Sequence, residues 1–184
     1  YGQTQAEGTL NASGTYTATL DVVDRSAVVF GTAVGDPASG QGSVMLLSVL
    51  GSFDALGHGQ HGPLVITEAE TTSVTLSPLS LARYGAVGQA NGFAIPTTDL
   101  QIVEAEQVVS STQLLDIAAA VKVSIDQPTL YPPPAGQDWL FLATDPAVLK
   151  SYQAQVAAAA GSTAPLDEAR AALLADPQVV PAFT

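Results

Sequence analysis

The clearest hydrophobic pattern in the chain lies in Ser110–Pro128, where apolar residues recur at helical spacing. One stripe is formed by Leu114, Leu115, Ala118, Val121 and Ile125. This spacing predicts an amphipathic helix. Ser110, followed three residues later by Gln113, has the form of a capping box, and Pro128 predicts where the helix ends. We therefore expect this helix to organise the residues around it.

The first two-fifths of the chain has the pattern of strands and turns. Alternation of threonine with Tyr16, Ala18 and Leu20 predicts a half-buried strand in residues 15–20, and Asp36–Gly42 predicts a loop. Gly31 interrupts an apolar run, which suggests a buried strand with a bulge. The run from Val44 to Phe53 fits either a central strand or a short buried helix, and its flanking glycines favour the strand. The run that contains Gly31 is Ala27–Val34. Two further strands are predicted at Leu64–Glu68 and Thr71–Leu76.

The pattern changes at Ser77-Pro78, which combines a favoured helix cap with a proline at the first helical position. A short helix is predicted over Leu79–Val87, ended by Gly88. Thr97 or Thr98 is predicted to cap a second helix. Its apolar residues are Leu100, Val103 and Val108, and Glu104 and Glu106 are expected to be exposed.

The last third predicts further helices around a proline-rich connector, Pro128–Gln137. Three consecutive prolines favour an extended surface crossing over a ligand for an aromatic groove. Trp139–Leu142 is then expected to plug the core as a short helical turn. Asp145-Pro146 predicts a helix to about Ala160, and Thr163-Ala164-Pro165 predicts another to about Ala175, before a last turn at Asp176-Pro177.

These elements predict an α+β fold, with an N-terminal antiparallel β-sandwich-like sheet followed by a C-terminal helical bundle. We expect residues 1–76 to form the β-rich module and residues 77–184 to form a helical region packed on it. The 184 residues and 47% hydrophobic content leave room for one domain or two small ones.

Composition and charge restrict the classes of partner. Charged residues make up 12% of the chain, about half the usual ~25%, a pattern common in secreted and surface-exposed bacterial proteins. The formal net charge of −12 disfavours nucleic acid and anionic membrane surfaces. The absence of cysteine excludes disulfides and thiolate chemistry, and no apolar run is long enough to span a membrane.

The candidate metal site is the pair His58 and His61, the two histidines of the chain, in the loop sequence GHGQHG. Two imidazoles with a carboxylate such as Asp54 or Glu68 form a donor set that zinc or copper accepts. The simpler interpretation, which we favour, is a solvated loop without a metal, because the surrounding glycines do not hold the ligands in place.

Catalytic motifs are weak throughout the sequence. No serine lies in a Gly-x-Ser-x-Gly elbow, and no glycine-rich phosphate loop follows a strand. The carboxylate pair Glu68 and Glu70 falls on one strand face rather than across a cleft, and Asp167 and Glu168 suit a first helical turn. We therefore predict no cofactor and no enzymatic activity.

The order of the segments resembles a known family. Asn11–Leu20 is similar to the N-x-x-G-x-Y-x-x-x-L hairpin of carboxypeptidase-regulatory-like and other transthyretin-like modules in bacterial exported surface lipoproteins. Ser73–Leu81 resembles the junction where such proteins pass from sandwich to helices. Leu114–Asp126 and Asp138–Val148 are similar to their helical part. The chain departs from the family by an extra residue between Thr75 and Pro78 and by lacking the acylated N-terminal cysteine.

The resemblance implies an exported bacterial protein, located at the cell surface or outside the cell, with a structural or adhesive role. Because the chain begins at Tyr1 without an initiator methionine, we expect a removed leader or a piece of a longer protein. The predicted partner is another protein or a second copy of the chain. A more specific form of this prediction is a filament, in which Tyr1–Thr9 donates a strand to a neighbouring copy. The alternative is a secreted hydrolase or metal-binding protein that uses His58 and His61.

Overall fold

The computed structural model describes residues 6–12, 14, 16–17, 24–35, 38, 44–56, 76–137 and 139–176. Within these residues the protein has an α+β architecture, with a two-stranded antiparallel sheet and seven helices. The elements in chain order are β1 (Val28–Val34), β2 (Met45–Ser52), α1 (Phe53–Leu56), α2 (Pro78–Ala90), α3 (Asp99–Val108), α4 (Ser111–Asp126), α5 (Trp139–Thr144), α6 (Pro146–Ala160) and α7 (Ala164–Ala175).

The sheet confirms the two central predicted strands but not the position of the bulge. Gly31 pairs regularly with Ser48, whereas the register shifts on β2 so that Leu50 is the extra residue. Gly51 follows with a φ of 92°, which a residue with a side chain rarely adopts. The predicted bulge at Gly31 is therefore wrong, and β1 is half-buried rather than fully buried.

The helix α4 is the centre of the core. Its buried residues cover more of the helix than the single stripe predicted from spacing, and it packs against α2, α5, α6 and α7. Ser110 caps its start by accepting a hydrogen bond from the Gln113 backbone N–H at 3.1 Å. The buried residues are Ile117, Ala118, Ala119, Ala120, Val121, Val123 and Ser124.

The helix α2 joins this core to the sheet. Leu46 and Leu47 of β2 pack against the helical core, and Phe30 of β1 meets Tyr84 of α2 edge to face, with ring centroids 6.2 Å apart. On another side, Gly85 touches α5: a Cβ added there would lie 2.1 Å from the carbonyl oxygen of Ala143. Only a glycine permits this approach of the two backbones.

The proline-rich connector lies along α6 and is tied to it at two points. The Tyr152 hydroxyl donates to the carbonyl oxygen of Tyr131 at 2.9 Å, and the Gln155 side-chain amide donates to the carbonyl oxygen of Pro132 at 3.3 Å. Tyr152 is fully buried. Burial raises its pKa from the ordinary 10.0 to about 12.

Most predicted helix starts are confirmed by their caps. Ser77 forms a capping box with Ser80, Thr98 accepts from the Gln101 N–H, and Asp145 accepts from two N–H groups. Trp139 and Leu142 are buried as predicted, and Gly161 ends α6 in the left-handed conformation. The predicted stop at Gly88 is wrong, because α2 continues to Ala90 and turns only where Gly92 has a φ of 65°.

Several predictions fall outside the described residues. These are the strand at 64–68, the strand at 71–76 except Leu76, the last turn beyond Asp176, and the strand at 15–20 except Tyr16 and Thr17, which are exposed and belong to no strand. The sandwich-like sheet and the division at residue 76 therefore stay predictions, while the α+β class is observed.

Two glycines of α2 give opposite expectations for the same substitution. Gly85→Ala places a methyl group against the Ala143 backbone, so we expect the free energy of unfolding to fall by about 1–3 kcal/mol. Gly88→Ala meets nothing within 4 Å. It should raise the free energy of unfolding by about 0.5–1 kcal/mol through helix propensity. Urea denaturation of both variants measures this, and equal effects would contradict the close approach.

The Tyr152 phenol should make stability depend on alkaline pH. Because its folded pKa lies above that of the unfolded chain, stability is fully present below about pH 10 and falls as pH rises toward 12. Tyr152→Phe should lower stability at pH 7 by about 1 kcal/mol, through loss of the bond to Tyr131. It should also show less loss of stability between pH 10 and 12 than the wild type. Parallel slopes in that window would refute the assignment.

Candidate interaction surface

Large exposed apolar side chains are concentrated in one short part of the chain. Of the eleven that occur among the described residues, five lie within residues 93–108. We call these five residues the apolar strip. They are Phe93 (69% exposed), Ile95 (54%), Leu100 (64%), Val103 (49%) and Val108 (73%). Single exposed apolar residues are normal on a protein surface, whereas five within sixteen residues make this segment a candidate interaction surface.

The helix α3 is apolar on two faces. Ile102 and Ala105 are buried against the rest of the protein. Leu100, Val103 and Val108 are exposed on the solvent side, spread around it with Glu104 and Gln107 between them. A helix with apolar residues on both faces is normally covered on both. The outer face of α3 therefore lacks a covering element among the described residues.

The start of α3 is fixed to the end of the sheet. The Asp99 carboxylate accepts hydrogen bonds from the Ser52 backbone N–H at 2.7 Å and from the Ser52 hydroxyl at 2.5 Å. The Ser52 hydroxyl in turn accepts from the Ala55 N–H. A Cβ at Gly51 would lie 3.2 Å from the carboxylate, so the glycine leaves room for Asp99. Bonds to a charged acceptor are the stronger kind, and these hold α3 in one place.

A second connection fixes the middle of α3. The Arg83 guanidinium of α2 pairs with the Glu106 carboxylate, and both side chains are partly exposed. Such a pair contributes little to stability, about 0–1 kcal/mol. Its effect here is on local charge, because it neutralises Glu106 and leaves Glu104 as the exposed acid beside the strip.

Phe93 lies at a strained point of the loop that leads into α3. The Phe93 N–H donates to the Gly88 carbonyl at 2.7 Å, and the Gly92 N–H donates to the Gln89 carbonyl, which together form a Schellman motif. Gly92 has the expected positive φ, but Phe93 also has a φ of 65°. It is the only residue other than glycine with a positive φ among those described. The strain of this bulky residue is about 1–2 kcal/mol, with no burial gained in return.

The strip lies in an acidic part of the sequence. Between Arg83 and Lys122 the chain has no basic residue and four acidic ones, Asp99, Glu104, Glu106 and Asp116. Asp116 pairs with Arg170 of α7 at 2.8 Å. Along the sequence, the exposed apolar side chains thus occur among carboxylates of which Glu106 and Asp116 are paired with arginines.

A second surface feature is a shallow groove of about 300 Å³ between the proline-rich connector and the start of α6. None of its lining residues is charged. They are Pro134, Ala135, Gln137, Ala147, Val148 and Ser151. The side-chain oxygen of Gln137 is buried without a hydrogen-bond partner among the described residues. The groove supplies no acid, base or nucleophile pair that would support catalysis.

The predicted metal ligands are not brought together by the part of the structure that is described. His58 and His61 lie outside the described residues, as does Glu68. Asp54, the other carboxylate considered, pairs with Arg25 at 2.9 Å. Within the described ranges no group of three or more His, Asp or Glu side chains is arranged to hold a metal.

The apolar strip was missed by sequence reasoning, although its residues were noted. Leu100, Val103 and Val108 were expected to be the apolar residues of the second helix, but Ile102 and Ala105 are the ones that face the core. Both sets have helical spacing, so periodicity could not distinguish them. Glu104 is exposed as predicted, whereas Glu106 is half-buried beside Arg83.

In the described ranges, no one helix has both the length and the apolar composition needed to cross a membrane. Taken together, α3 and α4 have the required length and apolar composition, but the pair is bent by 96° at the break between the two helices.

Comparison with known proteins gives no relative: no family model, no curated protein and no solved structure matches this chain.

A substitution at Phe93 distinguishes the effect of its backbone strain on stability from the effect of its side-chain packing. Phe93→Gly relieves the positive φ, so we expect the free energy of unfolding to stay unchanged or to rise by up to about 1 kcal/mol. The same change at Phe141, which is half-exposed in α5, should cost about 1 kcal/mol or more. Thermal unfolding of the two variants makes the comparison. A clear loss of stability in Phe93→Gly would mean that the phenyl ring packs within the chain.

Proposed function

We propose that this chain is a non-catalytic binding module of an exported bacterial surface protein, and that the apolar strip is its protein-binding surface. The observation that carries the proposal is the concentration of exposed apolar side chains in residues 93–108. Burial of such side chains by a partner is favourable by about 25 cal/mol per Å². The fixed position of α3 lowers the cost of ordering the surface on binding.

The polar groups that the described residues bring together support a structural role. Asp99 joins α3 to the sheet, and Arg170 joins α7 to α4 through Asp116 while also pairing with Asp167 of its own helix. Asp99 and Asp116 are thus engaged by donors from another part of the fold. Groups used in this way position elements, and they do not form a pair of acid and base across a cleft.

The architecture proposed with this function is larger than the observed sheet. A two-stranded sheet alone is marginally stable, so we place β1 and β2 within a sandwich-like module completed by the strands predicted at 15–20, 64–68 and 71–76. The helices from α2 onward form the proposed bundle. This arrangement corresponds to the family resemblance, in which a transthyretin-like module precedes a helical region.

The filament version of the proposal rests on the N-terminal segment. Residues 6–9 are exposed and belong to no strand. A segment with this character is suited to donate a strand to a neighbouring copy. Deletion of residues 1–9 is expected to abolish assembly in this version, and particle size by light scattering measures it.

The proposed binding surface is tested by replacing two residues of the strip. Leu100→Gln/Val103→Gln should leave the melting temperature within about 2 °C of the wild type, because both side chains face solvent. The variant should lose binding to extracellular proteins, or self-association, measured by cross-linking and light scattering. Leu174→Gln, at an exposed leucine of α7, is the matched control and should behave as the wild type.

An enzymatic alternative makes a different prediction for the same samples. A hydrolase that uses His58 and His61 would turn over a substrate in a broad screen, and His58→Ala/His61→Ala would abolish that turnover. Such a result, together with identical association of the wild type and the strip variant, would refute the proposed function.

A further inference from the structure

The turn that ends α2 contains Asn91 followed directly by Gly92. We propose that Asn91 is a site of spontaneous deamidation, and that the reaction proceeds only when this turn opens. The inference is independent of the proposed function, because it concerns a chemical modification of the chain itself.

The reaction needs only water besides the chain. The Gly92 backbone nitrogen loses its proton and attacks the carbonyl carbon of the Asn91 side chain, so a new C–N bond closes a cyclic imide. The C–N bond of the side-chain amide breaks, and its nitrogen takes up the proton and leaves as ammonia. Water then opens the imide at either carbonyl, which gives an aspartate or an isoaspartate at position 91. Glycine favours the ring closure, because it has no Cβ to hinder the approach of its nitrogen.

The folded turn keeps the two reacting groups out of the geometry that the reaction requires. Asn91 is half-buried and Gly92 is exposed, so water has access. However, the Gly92 N–H donates to the Gln89 carbonyl oxygen at 3.1 Å, which opposes loss of its proton. The Asn91 side-chain amide donates to the Ala94 carbonyl oxygen at 3.0 Å. Asn91 also has a ψ of 22°, at which its Cβ and the Gly92 nitrogen are not eclipsed as the imide ring requires. Attack therefore requires both hydrogen bonds to break and the Asn91 Cα–C bond to rotate.

The same turn has a feature that favours its opening. Phe93 has a φ of 65° directly after Gly92, and the strain of this conformation is released when the turn opens. The exposed Phe93 side chain adds little packing that would oppose the opening. The reaction rate in the folded chain is therefore set by a balance between hydrogen bonds that close the turn and strain that opens it.

The product should weaken the end of α2. It lacks the side-chain N–H that donates to Ala94, and it places a carboxylate at the C-terminal end of a helix, where the helix dipole disfavours negative charge. The last turn of α2 has no basic residue to compensate this charge. Deamidation of Asn91 should therefore loosen the turn that holds Phe93.

The test incubates the whole chain in buffer and in concentrated urea and follows deamidation by mass spectrometry of tryptic peptides. The chain has two asparagines, and trypsin separates them, because residues 1–25 contain Asn11 and residues 84–122 contain Asn91. Asn11 is followed by alanine and is the internal control. We expect Asn91 to react faster than Asn11 in urea. In buffer, Asn91 should react at least about tenfold more slowly than in urea, since two hydrogen bonds must break.

Two substitutions test the control by the turn and the effect of the product. Phe93→Gly should slow the reaction in buffer about threefold, because it relieves the strain that opens the turn, and should leave the rate in urea unchanged. Asn91→Asp, which reproduces one product, should lower the melting temperature by about 2–4 °C. Asn11→Asp adds the same charge outside any helix and should shift the melting temperature by less than about 1 °C.

Four results would overturn the inference in whole or in part. An Asn91 rate in buffer equal to or above the rate in urea would show that the turn does not control the reaction. An Asn91 rate no higher than that of Asn11 in urea would remove the site. A Phe93→Gly rate in buffer equal to that of the wild type would remove the role of strain. Equal melting temperatures for Asn91→Asp and Asn11→Asp would show that the product does not weaken α2.

Discussion

The burial of α4 among four other helices is the constraint on which the rest of the structure depends. Small residues make it possible, because Ala118, Ala119 and Ala120 let neighbouring helices approach closely. The same device recurs at Gly85, where the backbones of α2 and α5 meet. A core that combines such close contacts with large buried side chains, among them Trp139 and Tyr152, tolerates little added volume at the small residues.

The position of α2 against α4 determines where the sheet and α3 lie. α2 carries Tyr84 toward β1 and Arg83 toward α3, while Asp99 ties α3 to the end of β2 at Ser52. The central helix α4 thus positions α2, and α2 in turn positions the sheet and α3. The outermost element, α3, is thus held rigidly although only Ile102 and Ala105 of its residues are buried.

Local chemistry explains why the helix boundaries could be predicted from sequence. Ser77, Thr98 and Asp145 accept hydrogen bonds from the backbone of the next few residues, so their effect does not depend on distant contacts. The stop at Gly88 and the bulge at Gly31 failed for the opposite reason. Whether a position requires glycine depends on which residue packs against it. At Gly51 that residue is Asp99, 48 positions later in the chain. The face of α3 that is buried likewise depends on the sheet, which periodicity does not locate.

Exposure and strain coincide at Phe93, in the segment before α3, and together they support the proposal that this segment is a binding surface. Phe93 adopts a backbone conformation that disfavours its own side chain, and that side chain contributes little burial within the chain. Hydrogen bonds hold the residue in this turn. The Phe93 N–H donates to the Gly88 carbonyl, and Asn91 and Ala94 are hydrogen-bonded to each other. Backbone strain that the surrounding structure holds in place occurs most often at functional sites, which is why the strain at Phe93 supports the proposed surface. The turn at Gly92 and the Asp99 bonds hold the segment between them, and in the proposed function this lowers the cost of ordering the surface on binding.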